Sequence, residues 1–228
     1  MHEERYVLSK SELMVLLAAK GMQNITIQGS PVRCNDSEMC YLINDMVQNG
    51  LIEGSEEKFV IEKDLDALLC IIKDADWTYL VRTSGDIRES VFIYQRGEDF
   101  CLVGVTDREN ARYSLRAPQK EEVKEILLPE GYGEEDYVPT LEEEKSFENI
   151  IRSKEYVQPQ ALARFANIPY MLEIMHAGEE KLKERILLRL GDEEGQVYCN
   201  KEGQISSRPF IKEEFSNLVS DLIGEYIK

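Results

Sequence analysis

Apolar and polar positions alternate along residues 77–127, and the same alternation recurs along residues 168–226. In the first stretch, Thr78-Tyr79-Leu80-Val81 opens a strand-like run. Val91–Glu98, Phe100–Val105 and Arg112–Arg116 follow, and a helix beginning Lys120-Glu121-Glu122-Val123 closes the unit. In the second, Pro169-Tyr170-Met171-Leu172 is followed by Arg185–Asp192, Gln196–Cys199 and Gln204–Phe210. A helix beginning Lys212-Glu213-Glu214-Phe215 then ends it. The offset between the copies is 91 from Tyr79 to Tyr170, 94 from Gly97 to Gly191 and 92 from Lys120 to Lys212, so the slippage falls in the turns. A period of 2 marks strands and a period near 3.6 marks helices. Each copy is therefore four antiparallel strands and a helix.

Helical spacing dominates before the first copy. Ser9 or Ser11 caps a helix through Lys20 whose apolar face is Leu13, Leu16 and Leu17, and Gly21 stops it. A short Ile25-Thr26-Ile27 segment follows. Asn35 or Asp36 caps a second helix with Met39, Leu42, Ile43, Met46 and Val47 at helical intervals, ended by Gly50. Leu51-Ile52, a Gly54-Ser55 turn and Phe59-Val60-Ile61 read as a hairpin, and Asp64–Asp74 as a third helix. Helix, helix and a two-stranded wing outline a winged helix. Between the copies, Glu130–Glu144 holds seven acidic residues and no basic one, with Gly131, Gly133 and Pro139, which predicts a solvated linker. Leu141–Arg152 and Pro159–Ala166 read as helices leading into the second copy.

The expected fold class is α+β: a duplicated set of helices, four-stranded meander and helix with quasi-two-fold symmetry, its antiparallel sheet flanked by helices. The N-terminal half spans 1–129, with a winged-helix-like preface at 9–75 and the meander and helix at 77–128. The linker is 130–144, and the C-terminal half is 145–228.

Charge changes the reading of the wing. The 228-residue chain carries 27 Lys and Arg against 44 Asp and Glu, a net charge of −17. Binding to a phosphate backbone needs cations, and a recognition helix needs Arg, Lys, Asn or Gln at base edges. Residues 36–49 contain Asp36, Glu38 and Asp45 with no Lys or Arg. No nucleic-acid partner is expected. An acidic winged-helix regulator or partner-sensing module is the alternative reading. Five scattered cysteines without CxxC spacing predict free thiols in a reducing cytoplasm. The opening Met-His-Glu-Glu-Arg does not read as a signal peptide, and Leu13–Ala19 is too short to span a bilayer, so no membrane insertion is expected.

Candidate chemistry is sparse. There are two histidines, His2 and His176, and no nucleotide-binding glycine loop or nucleophile elbow. No catalytic residue, metal ligand or cofactor is expected, and the protein reads as non-enzymatic. What remains is surface. Alternation sets Phe92, Tyr94 and Arg96 on one face of their strand and Val91, Ile93 and Gln95 on the other. In the second copy Ile186, Leu188 and Leu190 oppose Arg185, Leu187 and Arg189. Strands apolar on both sides are either covered twice by the chain's own helices or left partly open for a partner. Aromatic residues with Arg nearby have the composition of interface anchors. The candidate partner-binding residues are Tyr79, Phe92, Tyr94, Arg96, Met171, Tyr198 and Phe210.

The motif Leu8-Ser9-x-x-Glu12-Leu13-x-x-Leu16-x-x-x-x-Gly21 is similar to the opening helix of the EspG family of type VII (ESX) secretion chaperones. The later order also resembles that family over nearly the whole chain: strands, a Lys/Glu-rich helix, an acidic Gly/Pro linker, a second strand-and-helix set. The resemblance implies an antiparallel central sheet with quasi-two-fold symmetry. It further implies ATP-independent binding of a helical secreted effector with WXG- or LXG-like helices, whose hydrophobic tip is kept soluble. The chain looks shorter than typical members, mostly in its second half.

Overall fold

The computed structural model describes residues 6–22, 35–54, 58–83, 90–107, 112–128, 147, 149–155, 157, 168, 170–176, 182–190 and 195–227. Its centre is one nine-stranded antiparallel sheet. The first meander is β4 (Trp77–Thr83), β5 (Ser90–Arg96), β6 (Asp99–Asp107) and β7 (Arg112–Arg116). The second is β8 (Tyr170–His176), β9 (Leu182–Arg189), β10 (Gln196–Lys201) and β11 (Gln204–Pro209). With β1 (Tyr6–Ser9) at one edge, the spatial order is β1-β7-β6-β5-β4-β8-β9-β10-β11.

The two copies meet through their first strands. β4 and β8 pair antiparallel, with Tyr79 opposite Ile174, Val81 opposite Leu172 and Thr83 opposite Tyr170. Val81 and Leu172 are themselves equivalent under the 91-residue offset, as are Tyr79 and Tyr170. The pseudo-two-fold axis therefore passes through the Val81–Leu172 pair, and the two meanders form one continuous sheet. Antiparallel pairing of equivalent strands is what a two-fold operation requires.

Each face of the sheet is buried by a different set of elements. Tyr79, Val81, Ile93, Leu102, Tyr170, Leu172, Ile174 and Ile186 point to one side. They are packed there with α4 (Lys120–Leu127) and α5 (Lys212–Tyr226), the helices that close the two copies. Val123 and Leu127 of α4, and Phe215, Val219, Leu222 and Ile223 of α5, recur every three or four residues and supply the apolar stripe. Each such burial stabilises by roughly 1.5–3 kcal/mol relative to exposure. Tyr170 Oη donates to the Leu127 carbonyl at 2.6 Å, satisfying an end carbonyl of α4.

The opposite side of the first meander is covered by α1 (Lys10–Ala19), α2 (Asp36–Gln48) and α3 (Lys63–Lys73), with the hairpin β2 (Ile52–Gly54) and β3 (Phe59–Ile61) between the last two. This is the expected winged-helix-like preface. Ser9 caps α1: its Oγ accepts from the Glu12 N–H while Glu12 Oε2 accepts from the Ser9 N–H. Asn35 and Glu38 make the same reciprocal pair at α2. Gly21 and Gly50 take positive φ where those helices stop. Lys20 Nζ lies 2.7 Å from Asp66 Oδ1, tying α1 to α3.

Strand β1 was not foreseen. Four residues immediately before a helix cap carry no periodic signal, and pairing with β7 alone makes them a strand. The acidic segment 130–144, Ile25–Ile27, the helix expected at 159–166, Gly191 and Cys34 lie outside the described residues.

Candidate partner-binding surface

Alternation assigned the strand faces as the register has them, but burial reverses most of the expected surface. Tyr79, Phe92, Tyr94 and Met171 are 0, 2, 5 and 1% exposed, so a partner cannot reach them in the folded chain. Phe92 and Tyr94 belong to the core shared with Leu65, Leu69 and Ile72 of α3. Tyr79 lies under α4 and α5, where its hydroxyl donates to Gln95 Oε1 and burial pushes its pKa up. Met171 packs with Phe147, Ile150 and Ile151. Over the first meander both apolar faces are sealed by the chain's own helices. Reading strand polarity alone could not separate this from an open face, because both demand apolar side chains.

The remaining three candidates are partly exposed and stand apart. Arg96 reaches Asp99 Oδ2 at 3.1 Å across the β5–β6 turn. Phe210 meets Phe215 edge to face at 5.6 Å, on the α5 side of the sheet. Tyr198 lies on the opposite side, edge to face with Phe147 at 5.1 Å, while the Arg189 guanidinium sits 4.4 Å above the same Phe147 ring.

Tyr198 marks the end of the sheet where cover thins. On its face, β10 and β11 present Gln196, Tyr198, Ile205 and Ser207. Ile205 is 39% exposed and Ser207 is exposed. Ile205 was not singled out from the sequence, although an isoleucine between Gln204 and Ser206 in the most polar strand was the available signal.

A buried ionic node holds the neighbouring segment against this face. Glu173 is fully buried on β8; its Oε1 accepts from Arg185 Nε at 2.9 Å and Nη2 at 2.6 Å, and Arg82 Nη2 lies 3.7 Å from Oε2. The Val157 N–H also donates to Glu173 Oε1 at 3.1 Å. Arg185 further donates to the carbonyls of Ile150, Ser153 and Glu155, closing the end of the helical residues 149–152. Asn200 Nδ2 donates to the Ile151 carbonyl at 2.7 Å. Three charged side chains thus place residues 149–155 and Val157, next to Phe147 beside Tyr198.

On the other side of the same strands, a groove of about 520 Å³ separates β9–β11 from α5. Ile186, Val197, Leu218 and Leu222 form its apolar lining, and Arg208 and Glu225 add charge. Arg208 Nη2 is enclosed with no hydrogen-bond acceptor among the described residues. Burial raises the Cys199 thiol pKa in this wall, with Arg208 opposing and Glu184 reinforcing the shift. Lys201 Nζ reaches Glu225 Oε2 at 3.1 Å and Glu184 Oε2 at 3.5 Å, fastening α5 to the sheet. The Lys201 pKa is raised, first by its hydrogen bond to Glu225.

Among the described residues no group of three or more His, Cys, Asp or Glu side chains could hold a metal ion. His176 is stacked on Trp77 with ring centroids 4.0 Å apart. No helix among the described residues is long and apolar enough to cross a membrane. The face of the wing module is acidic and apolar: Tyr41 of α2 is 74% exposed, and Phe59 and Val60 of β3 are exposed.

No protein-family model and no curated protein matches the sequence. Among solved structures the chain is similar to the Mycobacterium tuberculosis type VII secretion system chaperone EspG5, solved in complex with a PE25–PPE41 dimer. The likeness covers 96% of this chain and 94% of that one, with a TM-score of 0.55 and 9% identity. At that identity the shared feature is the fold: an α+β chain with a large antiparallel sheet flanked by helices, matched nearly end to end.

Proposed function

We propose that this protein is a non-enzymatic, cytoplasmic chaperone or adaptor that binds a helical secreted client of a type VII secretion system and keeps it soluble. The observation that carries this reading is the end-to-end fold likeness to a type VII chaperone captured with its PE–PPE partner. The surface chemistry agrees with it. A net charge of −17 keeps a complex with a sticky partner dispersed, while the outer strands of the second half offer Tyr198 and Ile205 as apolar contacts. In this reading the client's helical tip lies across the open face of β10 and β11. Of the seven residues expected from the sequence, Tyr198 is the one placed to touch it there. Arg96 and Phe210 stand at other parts of the surface.

Co-expression with a helical-hairpin secreted protein, followed by size-exclusion chromatography, tests the proposal. A complex that persists when salt is raised, as expected for apolar contact, and that is lost in the Tyr198→Asp, Ile205→Asp double variant without loss of folding, supports it. A complex that survives the double variant overturns the surface. Binding to duplex DNA with a steep salt dependence, instead of binding to such a client, overturns the function.

A further inference from the structure

Strand β11 ends the sheet, and no described strand pairs with its outer edge. Its hydrogen-bonding parity can be read from one bond. The Phe210 N–H donates to the Gly195 carbonyl at 2.8 Å, continuing the register that sets Gln196 opposite Pro209. In an antiparallel ladder alternate residues face the neighbour. Arg208, Ser206 and Gln204 are therefore turned toward β10, and Pro209, Ser207 and Ile205 direct their main-chain groups outward. Pro209 has no N–H to offer. Ile205 and Ser207 are left with exposed outward donors and acceptors, a template on which another extended backbone can pair in place of water.

We propose that this edge pairs with the same edge of a second copy of the chain, antiparallel about Ser206, joining two nine-stranded sheets into one. A two-fold axis at Ser206 sets Ile205 opposite Ser207 of the second copy, and Ser207 opposite its Ile205. Both are pairs of outward-facing residues that exchange two hydrogen bonds each. Pro209 ends the ladder at either side. The half-exposed Ile205 becomes the diagonal neighbour of its counterpart. Arg208 comes to lie opposite Gln204 of the second copy, a neutral side chain with an acceptor.

In a chain of net charge −17, residues 204–209 contain no carboxylate, so pairing along this strand sets no acidic side chain of it against its counterpart. The strand carries no lysine; its one charge, Arg208, is turned into the α5 groove, and Pro209 blocks only its end. The opposite edge, β1, is only four residues long and runs directly into α1. A ladder of this length buries little area, so the dimer is a weak one that forms only as concentration rises.

Sedimentation equilibrium of the isolated protein, from about 1 to 300 µM, tests the proposal without reference to any client. The expected result is a mass rising from 26.3 kDa toward twice that value. The amides of Ile205 and Ser207 should exchange freely in dilute protein and become protected as the mass rises. Ser207→Pro removes an outward N–H and no bond to β10, and it should hold the chain at the monomer mass with an unchanged circular dichroism spectrum. Should that variant misfold, Ile205→Lys, which sets two cations against each other across the axis, gives the same reading. Tyr198→Asp, on the proposed client face but one strand in from the edge, should leave the dimer intact, whereas Ser207→Pro should abolish it. A wild-type mass of one chain throughout, or association unchanged in both edge variants, overturns the pairing.

Discussion

Replacing Glu173 by glutamine tests whether the buried node places the segment beside Tyr198. The carboxylate is fully enclosed, accepts two bonds from Arg185, faces Arg82 and accepts from the Val157 N–H. Glutamine keeps the shape and one acceptor oxygen. It removes the negative charge from between two guanidinium groups that are themselves 2% and 1% exposed. It also turns an amide donor toward a donor. Removing one partner from a buried ion pair costs about 3–5 kcal/mol, because the remaining charge is left uncompensated out of water. For a chain of this length about 1 kcal/mol lowers the melting temperature by about 2–4 °C, so the expected drop is about 6–20 °C. Thermal melts followed by circular dichroism measure it. Hydrogen exchange should localise the loosening to residues 149–157 and to the Asn200 contact before the sheet itself opens. The triad need not add net stability over apolar isosteres; its part is to fix where residues 149–155 and Val157 sit. A melting temperature within about 2 °C of the parent, with exchange at 149–157 unchanged, would refute that account.

Gly97 takes φ +58 in the β5–β6 turn, and its N–H donates to Asp76 Oδ2 at 2.9 Å. An added Cβ there would meet no atom within 4 Å, so Gly97→Val should cost roughly 1 kcal/mol through backbone strain alone, read from urea unfolding midpoints at constant m. Cys101 is fully buried, and burial raises its pKa above the ordinary 9.0, as it does for Tyr79 above 10.0. A thiol or phenol with a raised folded-state pKa favours the folded state fully below its unfolded value. That contribution is lost as pH climbs from there toward the folded value, so unfolding free energy should fall above about pH 9. The fall should be shallower in Cys101→Val, and equal slopes in the two proteins would contradict the assignment. Under native conditions an alkylating reagent should modify the exposed Cys40 well before Cys101.

Much of the architecture was already legible as pattern. Strand alternation and helical spacing are local properties, so the two meanders, their closing helices and the wing could be read residue by residue, while the choice of Ser9 over Ser11 and of Asn35 over Asp36 as caps came from the structure. The duplication was legible because equivalent strands keep equivalent alternation. Even the face shared by Phe92, Tyr94 and Arg96 was right. The candidate surface was not legible to the same degree. Phe92 and Tyr198 look alike in sequence, each an aromatic residue on an alternating strand.

The amino-acid sequence by itself determined the order of elements after β1, the side of each meander strand on which its residues stand, and the acidic character that speaks against a nucleic-acid partner. Only the tertiary structure decided that β4 and β8 join the copies into one sheet, that β1 extends it, and that helices seal the first meander on both faces. It alone left β10 and β11 partly bare and gathered Arg82, Glu173 and Arg185 into one node. The physical reason is range: alternation and capping act between residues a few positions apart. Cover and charge pairing depend on contacts such as Arg82 to Glu173, whose cost or gain exists only once distant segments have met.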